Sequence, residues 1–143
     1  MRRAVLILLL FVGCASSSPP RERVFAIEVL EQQPLRQRAP LLGPHAYVVR
    51  VRNVSEQTIT IQTVRLDLVG TSEFELQDNQ QSLGTILEPG GTTDFNMFVT
   101  VVTSGRAVPN YSAIIDSLRV TLACHGDRGN FSEADVYPIL PSN

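Results

Sequence analysis

The chain has 143 residues, of which 43% are hydrophobic, and a formal net charge of −2 at pH 7. All twelve of its basic residues are arginine, which excludes reactions that need a lysine Schiff base or a phosphate-loop lysine. A mildly acidic chain also lacks the clustered cations that bind phosphate backbones, so we expect no nucleic-acid partner. The length suits one domain with a single hydrophobic core.

The first thirteen residues have the layout of an export signal. Arg2 and Arg3 precede an uninterrupted apolar run from Ala4 to Val12, and small and polar residues follow at once. The run is much shorter than the roughly 20 residues that cross a bilayer as a helix. The sequence therefore predicts that residues 1–13 are a signal peptide, not a transmembrane helix.

The signal ends in Phe11-Val12-Gly13-Cys14, which resembles the lipobox of bacterial lipoproteins, with Phe11 where Leu is commoner. In that family the cysteine receives a diacylglyceryl group and the chain is cut just before it. The resemblance implies that Cys14 is lipidated and that the membrane is a partner through this anchor, because two or more acyl chains hold a protein stably. Ala15 is not the Asp that commonly retains such proteins at the inner membrane, so the resemblance favours the outer membrane, facing the periplasm or the surface.

A second interpretation of the signal boundary stays open. Gly13-Cys14-Ala15 also has the A-x-A-like form of an ordinary cleavage site, and cleavage after Ala15 would release a soluble secreted domain. Under the lipoprotein interpretation, residues 14–22 form a Ser/Pro-rich tether, a composition that disfavours helix formation. The folded domain is then expected over residues 23–141.

Beyond the tether, apolar and polar side chains alternate with a period of two, which is the pattern of half-buried strands. Gly, Pro and Asn turns separate the alternating segments. This pattern predicts an all-β fold, an antiparallel sandwich of about seven strands. The predicted strands are Val24 to Leu30, Ala46 to Asn53, Ile59 to Leu68, Phe74 to Leu76, Phe95 to Val101, Leu118 to Cys124 and Asn130 to Leu140.

Three local features are predicted within these strands. The apolar spacing changes from two to three near Gln62 and Thr63, which indicates a bulge. The short strand that begins at Phe74 is expected to close a hairpin over Gly70. Pro138 indicates that the last strand lies at an exposed edge, because proline has no backbone N–H to donate to a neighbouring strand.

Four short motifs follow one another within the alternating segments. They are Val51-Arg52-Asn53-Val54-Ser55, Ile59-Thr60-Ile61, Phe74-Glu75-Leu76 and Leu87-Glu88-Pro89-Gly90-Gly91-Thr92-Thr93-Asp94-Phe95. Together they resemble bacterial immunoglobulin-like domains, and most of all the abnormal-spindle-like and major-sperm-protein-like set. The resemblance covers roughly residues 46 to 102, and a weaker one is to the water-stress and late-embryogenesis type of sandwich. Both resemblances imply a two-sheet sandwich used for binding or scaffolding, with no catalytic residues to carry over.

The densest polar cluster is the segment from Cys124 to Asp127, with Glu133 on the following strand. His125, Asp127 and Glu133 offer metal ligands, but no second histidine lies nearby and zinc spacing is missing. Cys124 and His125 are adjacent on a strand and face opposite ways, and Cys124 is in phase with apolar neighbours. We therefore predict no catalytic, cofactor-binding or metal residues; the alternative is a metal-dependent ligand binder or enzyme that uses the His125-Asp127-Glu133 hairpin.

Together these features predict a non-enzymatic envelope lipoprotein that binds a protein partner. Strand edges and loops are the surfaces that a small sandwich offers for binding. Phe98 is out of phase with its inward neighbours, so we expect an exposed apolar side chain there. No cofactor is expected.

Overall fold

The computed structural model describes residues 22–31, 42–70, 74–103 and 117–139. These ranges contain β-strands and no helix, so none of them holds a helix able to cross a bilayer. The predicted signal peptide, Cys14 and most of the predicted tether lie outside the described residues. The strands are β1 (Phe25–Glu31), β2 (Gly43–Asn53), β3 (Ile59–Val69), β4 (Phe74–Gln77), β5 (Gln80–Leu87), β6 (Thr92–Thr103), β7 (Ser117–Gly126) and β8 (Gly129–Pro138).

The strands form two antiparallel four-stranded sheets. The first sheet has the order β1-β2-β6-β4, and the second has the order β5-β3-β7-β8. Alternate side chains of both sheets point into one shared core, as the period of two predicts. The predicted all-β antiparallel sandwich is thereby confirmed. The largest fully buried side chains are Tyr47, Phe25, Ile59, Ile61, Leu66, Met97, Leu118, Leu122, Val49 and Val51.

The bulge predicted near Gln62 and Thr63 is confirmed. The register of β3 shifts between Ile61 and Thr63 against both of its neighbours, β5 and β7. The shift returns the apolar side chains of the second half of β3 to the core, where Val64 and Leu66 are fully buried. A change of apolar spacing along one strand thus marks a change of register.

The predicted hairpin over Gly70 is wrong. β4 pairs with β6, with Phe74 opposite Thr103, and so belongs to the first sheet, whereas β3 belongs to the second. Gly70 has a φ of 127°, a region open to glycine, at the point where the chain leaves β3. The chain therefore crosses between sheets where a hairpin was expected.

The sequence pattern also missed β5, the eighth strand. Its first three residues, Gln80 to Ser82, are polar and exposed, so no apolar alternation announces the strand. β5 contributes to the core through half-buried Leu83 and buried Leu87. An edge strand that is partly polar and exposed shows only a weak alternation of apolar and polar residues.

The side chain of Asn53 is buried at the end of β2 and has all its hydrogen-bonding groups satisfied. Its Nδ2 donates to the carbonyl oxygens of Gln57, at 2.7 Å, and Leu87, at 3.0 Å. Its Oδ1 accepts from the backbone N–H of Ser55, at 3.0 Å, and from the Ser55 hydroxyl, at 2.7 Å. We call this set of contacts the Asn53 clasp.

The backbone of Asn53 extends the clasp to the turn between β5 and β6. Its N–H donates to the Gly91 carbonyl and its carbonyl accepts from the Gly90 N–H, both at 2.9 Å. Gly90 has a φ of 75°, and a Cβ on Gly91 would lie 2.9 Å from the Glu88 carbonyl oxygen, so both glycines are required here. The clasp thus joins two turns that each connect one sheet to the other.

We predict that Asn53→Ala lowers the free energy of unfolding by about 2 to 4 kcal/mol. The substitution removes the side-chain hydrogen bonds of Asn53 to Gln57, Leu87 and Ser55. A buried polar group that loses its partner costs more free energy than an exposed one. Chemical denaturation measures the loss. The control is Asn96→Ala on the exposed face of β6, expected to change stability by less than about 0.5 kcal/mol. Equal losses in both variants would contradict a structural role for the clasp.

Candidate functional site

The amino-terminal end of the domain is held against the last strand by a carboxylate. Glu133 on β8 accepts the backbone N–H of Val24, at 3.0 Å, and that of Phe25, at 3.2 Å. β1 and β8 are edge strands of different sheets, so these hydrogen bonds join the two sheets along one side of the sandwich. Charge-assisted bonds of this kind are stronger than neutral ones.

Two further residues of β8 extend this contact. Asp135 pairs with Arg23, at 3.2 Å, and the Tyr137 hydroxyl donates to the Ile27 carbonyl. Burial raises the pKa of Tyr137 to about 12, and the negative charge of Asp135 adds to the rise. Glu133, Asp135 and Tyr137 alternate along one face of β8, and we call their contacts with residues 23–27 the amino-terminal clamp.

An open groove with a volume of about 880 Å³ lies beside the clamp. Its walls come from residues 22–24, from the turn at residues 54–57 and from the hairpin between β7 and β8. Side chains of both charge signs line it, among them Glu56 and Arg128. This groove therefore lies where the predicted tether joins the domain.

The hairpin that the sequence offered as a metal site does not bring its three residues together. His125 is exposed, and its Nδ1 lies 2.8 Å from Oδ1 of Asn130, its partner across the hairpin. Glu133 pairs with Leu122, a core residue, so its side chain lies on the inner face of the sheet, whereas the side chain of His125 lies on the outer face. In the described part of the chain, no group of three His, Cys, Asp or Glu side chains could hold a metal ion.

Cys124 is a core residue, as its phase with Val120 and Leu122 predicted. Its side chain is fully buried, and burial raises the pKa of the thiol to about 12, with the charge of Glu133 adding to the rise. The thiol therefore stays protonated near neutral pH, which makes it a poor nucleophile. Cys124 and exposed His125 face opposite sides of the sheet, as predicted.

Phe98 is 72% exposed on the outer face of the first sheet, which confirms the prediction of an exposed apolar side chain. It lies opposite Ala46 on β2, and the neighbouring outward pair is Leu30 with Val48. These four side chains form a small apolar area among polar neighbours. Its size is ordinary for the surface of a small domain.

The sequence missed the amino-terminal clamp because its partners are far apart in the chain. The available signal was the alternation of Glu133, Asp135 and Tyr137 on one face of the last strand. Such a pattern predicts polar side chains near the core edge, but their partners are backbone groups of Val24, Phe25 and Ile27. A backbone amide has no signature in the sequence.

Comparisons with known proteins do not indicate a function for this chain. No protein-family model and no curated protein matches the chain. Among solved structures, the structural-genomics target SoR45 is 14% identical with a TM-score of 0.43, over 83% of this chain and 87% of that one. A FixG-related protein from Vibrio parahaemolyticus is 13% identical with a TM-score of 0.39, over 85% of this chain and 100% of that one. Macromomycin is 13% identical with a TM-score of 0.37, over 82% and 100%. The similarities are those of small all-β folds and carry no argument about function.

We predict that Glu133→Ala loosens the start of β1. Two backbone N–H groups lose a charged acceptor, which lowers the free energy of unfolding by about 1 to 3 kcal/mol and speeds hydrogen exchange at Phe25. Glu75→Ala, which removes an exposed carboxylate on β4, is the control. Unchanged protection of the Phe25 amide in Glu133→Ala would show that the clamp does not hold the strand.

We also predict that Cys124 resists thiol reagents in the native Cys14→Ser chain, where it is the only thiol, and reacts fully after denaturation. Because the pKa of the folded thiol is raised from 9.0 to about 12, the folded state keeps a proton that the unfolded state loses. The free energy of unfolding must then fall as pH rises from about 9 towards 12. Cys124→Ala should fall less steeply over that window, and an identical slope in both chains would refute the assignment.

Proposed function

We propose that the protein is a lipid-anchored, non-enzymatic binding or scaffolding module of a bacterial cell envelope. The observation that carries the proposal is the sequence Phe11-Val12-Gly13-Cys14 at the end of an export signal, directly before a Ser/Pro-rich stretch. A lipidated Cys14 would hold the chain at a membrane surface without help from the fold. Ala15 after the cysteine favours the outer membrane as the site of attachment.

The fold is compatible with attachment at this end. Arg23, Val24 and Phe25 are fixed to β8 by the amino-terminal clamp, so force from a tether reaches both sheets at once. An extended chain spans at most about 3.3 to 3.6 Å per residue, so the stretch from Cys14 to Arg23 reaches about 30 Å. The domain would therefore work within about 30 Å of the bilayer.

The chemistry of the described side chains favours binding over catalysis. His125 and Glu133 leave opposite faces of their sheet, and the Cys124 thiol is buried with a raised pKa. Strand edges, the groove beside the clamp and the loops are the surfaces through which such a module binds a protein partner in the envelope.

We predict that the mature protein partitions into the detergent phase and incorporates a fatty-acid label, and that Cys14→Ser loses both properties. Acylation of the sulfur supplies the membrane affinity, so removal of the sulfur abolishes it. Cys124→Ala is the matched control because it removes the other cysteine and should keep the label. Equal partitioning of wild type and Cys14→Ser, with a chain beginning at Ser16, would favour the secreted alternative.

A further inference from the structure

The first residues of the domain are hydrogen-bonded on both of their sides. Toward the first sheet, the Val54 N–H donates to the Val24 carbonyl at 2.9 Å. Toward the second sheet, Glu133 accepts the N–H groups of Val24 and Phe25. The chain therefore contacts both sheets at the point where it enters the domain.

Aromatic side chains of β1 and β8 join the sheets at the same place. The rings of Phe25 and Phe131 stack, with their centroids 6.4 Å apart and their planes 15° from parallel. Phe25 belongs to the core, and Phe131 packs against that core from β8. The ion pair of Arg23 with Asp135 contributes little, because the Arg23 side chain is 71% exposed and water screens such pairs. The contacts that hold β1 to β8 are therefore the hydrogen bonds of the clamp and this ring pair.

The same contacts show that β1 and β8 run in the same direction. Glu133 bonds to Phe25 at the start of β1. Farther along both strands, Tyr137 bonds to Ile27. The chain enters β1 beside Glu133 and leaves β8 at Pro138, which is the other end of this contact. A pull on the two ends of the chain therefore slides β1 along β8 and does not lift it away.

We propose that the amino-terminal clamp bears load, so that tension on the tether does not strip β1 from the first sheet. The inference rests on the proposed attachment at Cys14, because a chain held at a membrane and bound to a partner through its body is pulled at residue 22. Sliding stretches the contacts between β1 and β8 together, whereas lifting would break them one after another. The load is therefore shared between both sheets before any strand separates.

The carboxylate of Glu133 is the group on which the clamp depends most. Its Oε2 accepts the N–H of Val24 at 3.0 Å, and its Oε1 accepts the N–H of Phe25 at 3.2 Å. A carboxylate has an acceptor at both positions, whereas the side-chain amide of glutamine places a donor at one of them. Glu133→Gln therefore keeps the size of the side chain, removes its charge and breaks one of the two hydrogen bonds.

The test measures the lifetime of the folded state under constant force in an optical trap. In the unlipidated Cys124→Ala chain, one handle is attached to Cys14 and the other to residue 143 after Asn143→Cys, so that the pull crosses the clamp. We expect Glu133→Gln to shorten this lifetime about tenfold or more, because the loss of a charge-assisted bond lowers the barrier to forced unfolding. Glu75→Ala, on an exposed position of β4, should leave it unchanged.

A second pulling direction separates load bearing from general stability. In a chain with Cys14→Ser and Cys124→Ala, the first handle is moved to residue 56 after Glu56→Cys, in the turn between β2 and β3. The pull between residues 56 and 143 then runs through β3, β7 and β8 of one sheet and bypasses the clamp. Along this direction we expect Glu133→Gln to shorten the lifetime less than about threefold.

Equal shortening in both directions would overturn the proposal, because Glu133 would then act on general stability alone. An unchanged lifetime in the pull from Cys14 would overturn it as well. Tyr137→Phe, which removes one hydroxyl and keeps the ring, decides the matter if Glu133→Gln does not fold: we expect the same dependence on direction, and a lifetime equal to that of its parent would contradict load bearing. Because the handle on Cys14 replaces the lipid, failure of this test leaves the proposed anchor standing, and absence of lipid in cells leaves this result standing.

Discussion

The fold depends first on the buried amide of Asn53. The two turns that it joins are the ones that carry the chain from β2 to β3 and from β5 to β6, and each passes from one sheet to the other. A buried asparagine is tolerable when every donor and acceptor has a partner, and costly when one is lost. The Asn53 clasp therefore fixes the relative position of the sheets at one end, and the apolar core fills the space between them.

The two long sides of the sandwich are unequal. On one side, the amino-terminal clamp ties residues 23–27 to β8 through Glu133, Asp135 and Tyr137 and fixes the start of the domain. On the other side, β4 has four residues and β5 has no charged residue.

Much of this architecture could be predicted from alternation alone, because inward and outward residues of a strand differ in polarity. The bulge at Gln62 followed from a change of spacing. The predicted hairpin over Gly70 was wrong because glycine occurs both in hairpins and in crossings between sheets. Only the pairing of β4 with β6 shows that the chain crosses here. β5 was missed because its exposed half is polar. The partners of Glu133 are backbone amides more than a hundred positions earlier, which no local pattern reveals.

We propose that lipid on Cys14 holds this sandwich at a membrane. Mass spectrometry of the amino-terminal peptide from the purified mature protein tests it most directly. Lipidation predicts a peptide that begins at Cys14 and carries the mass of a diacylglyceryl group, with or without a further acyl chain. A peptide that begins at Ser16, or one that contains an unmodified Cys14, would contradict the lipid anchor.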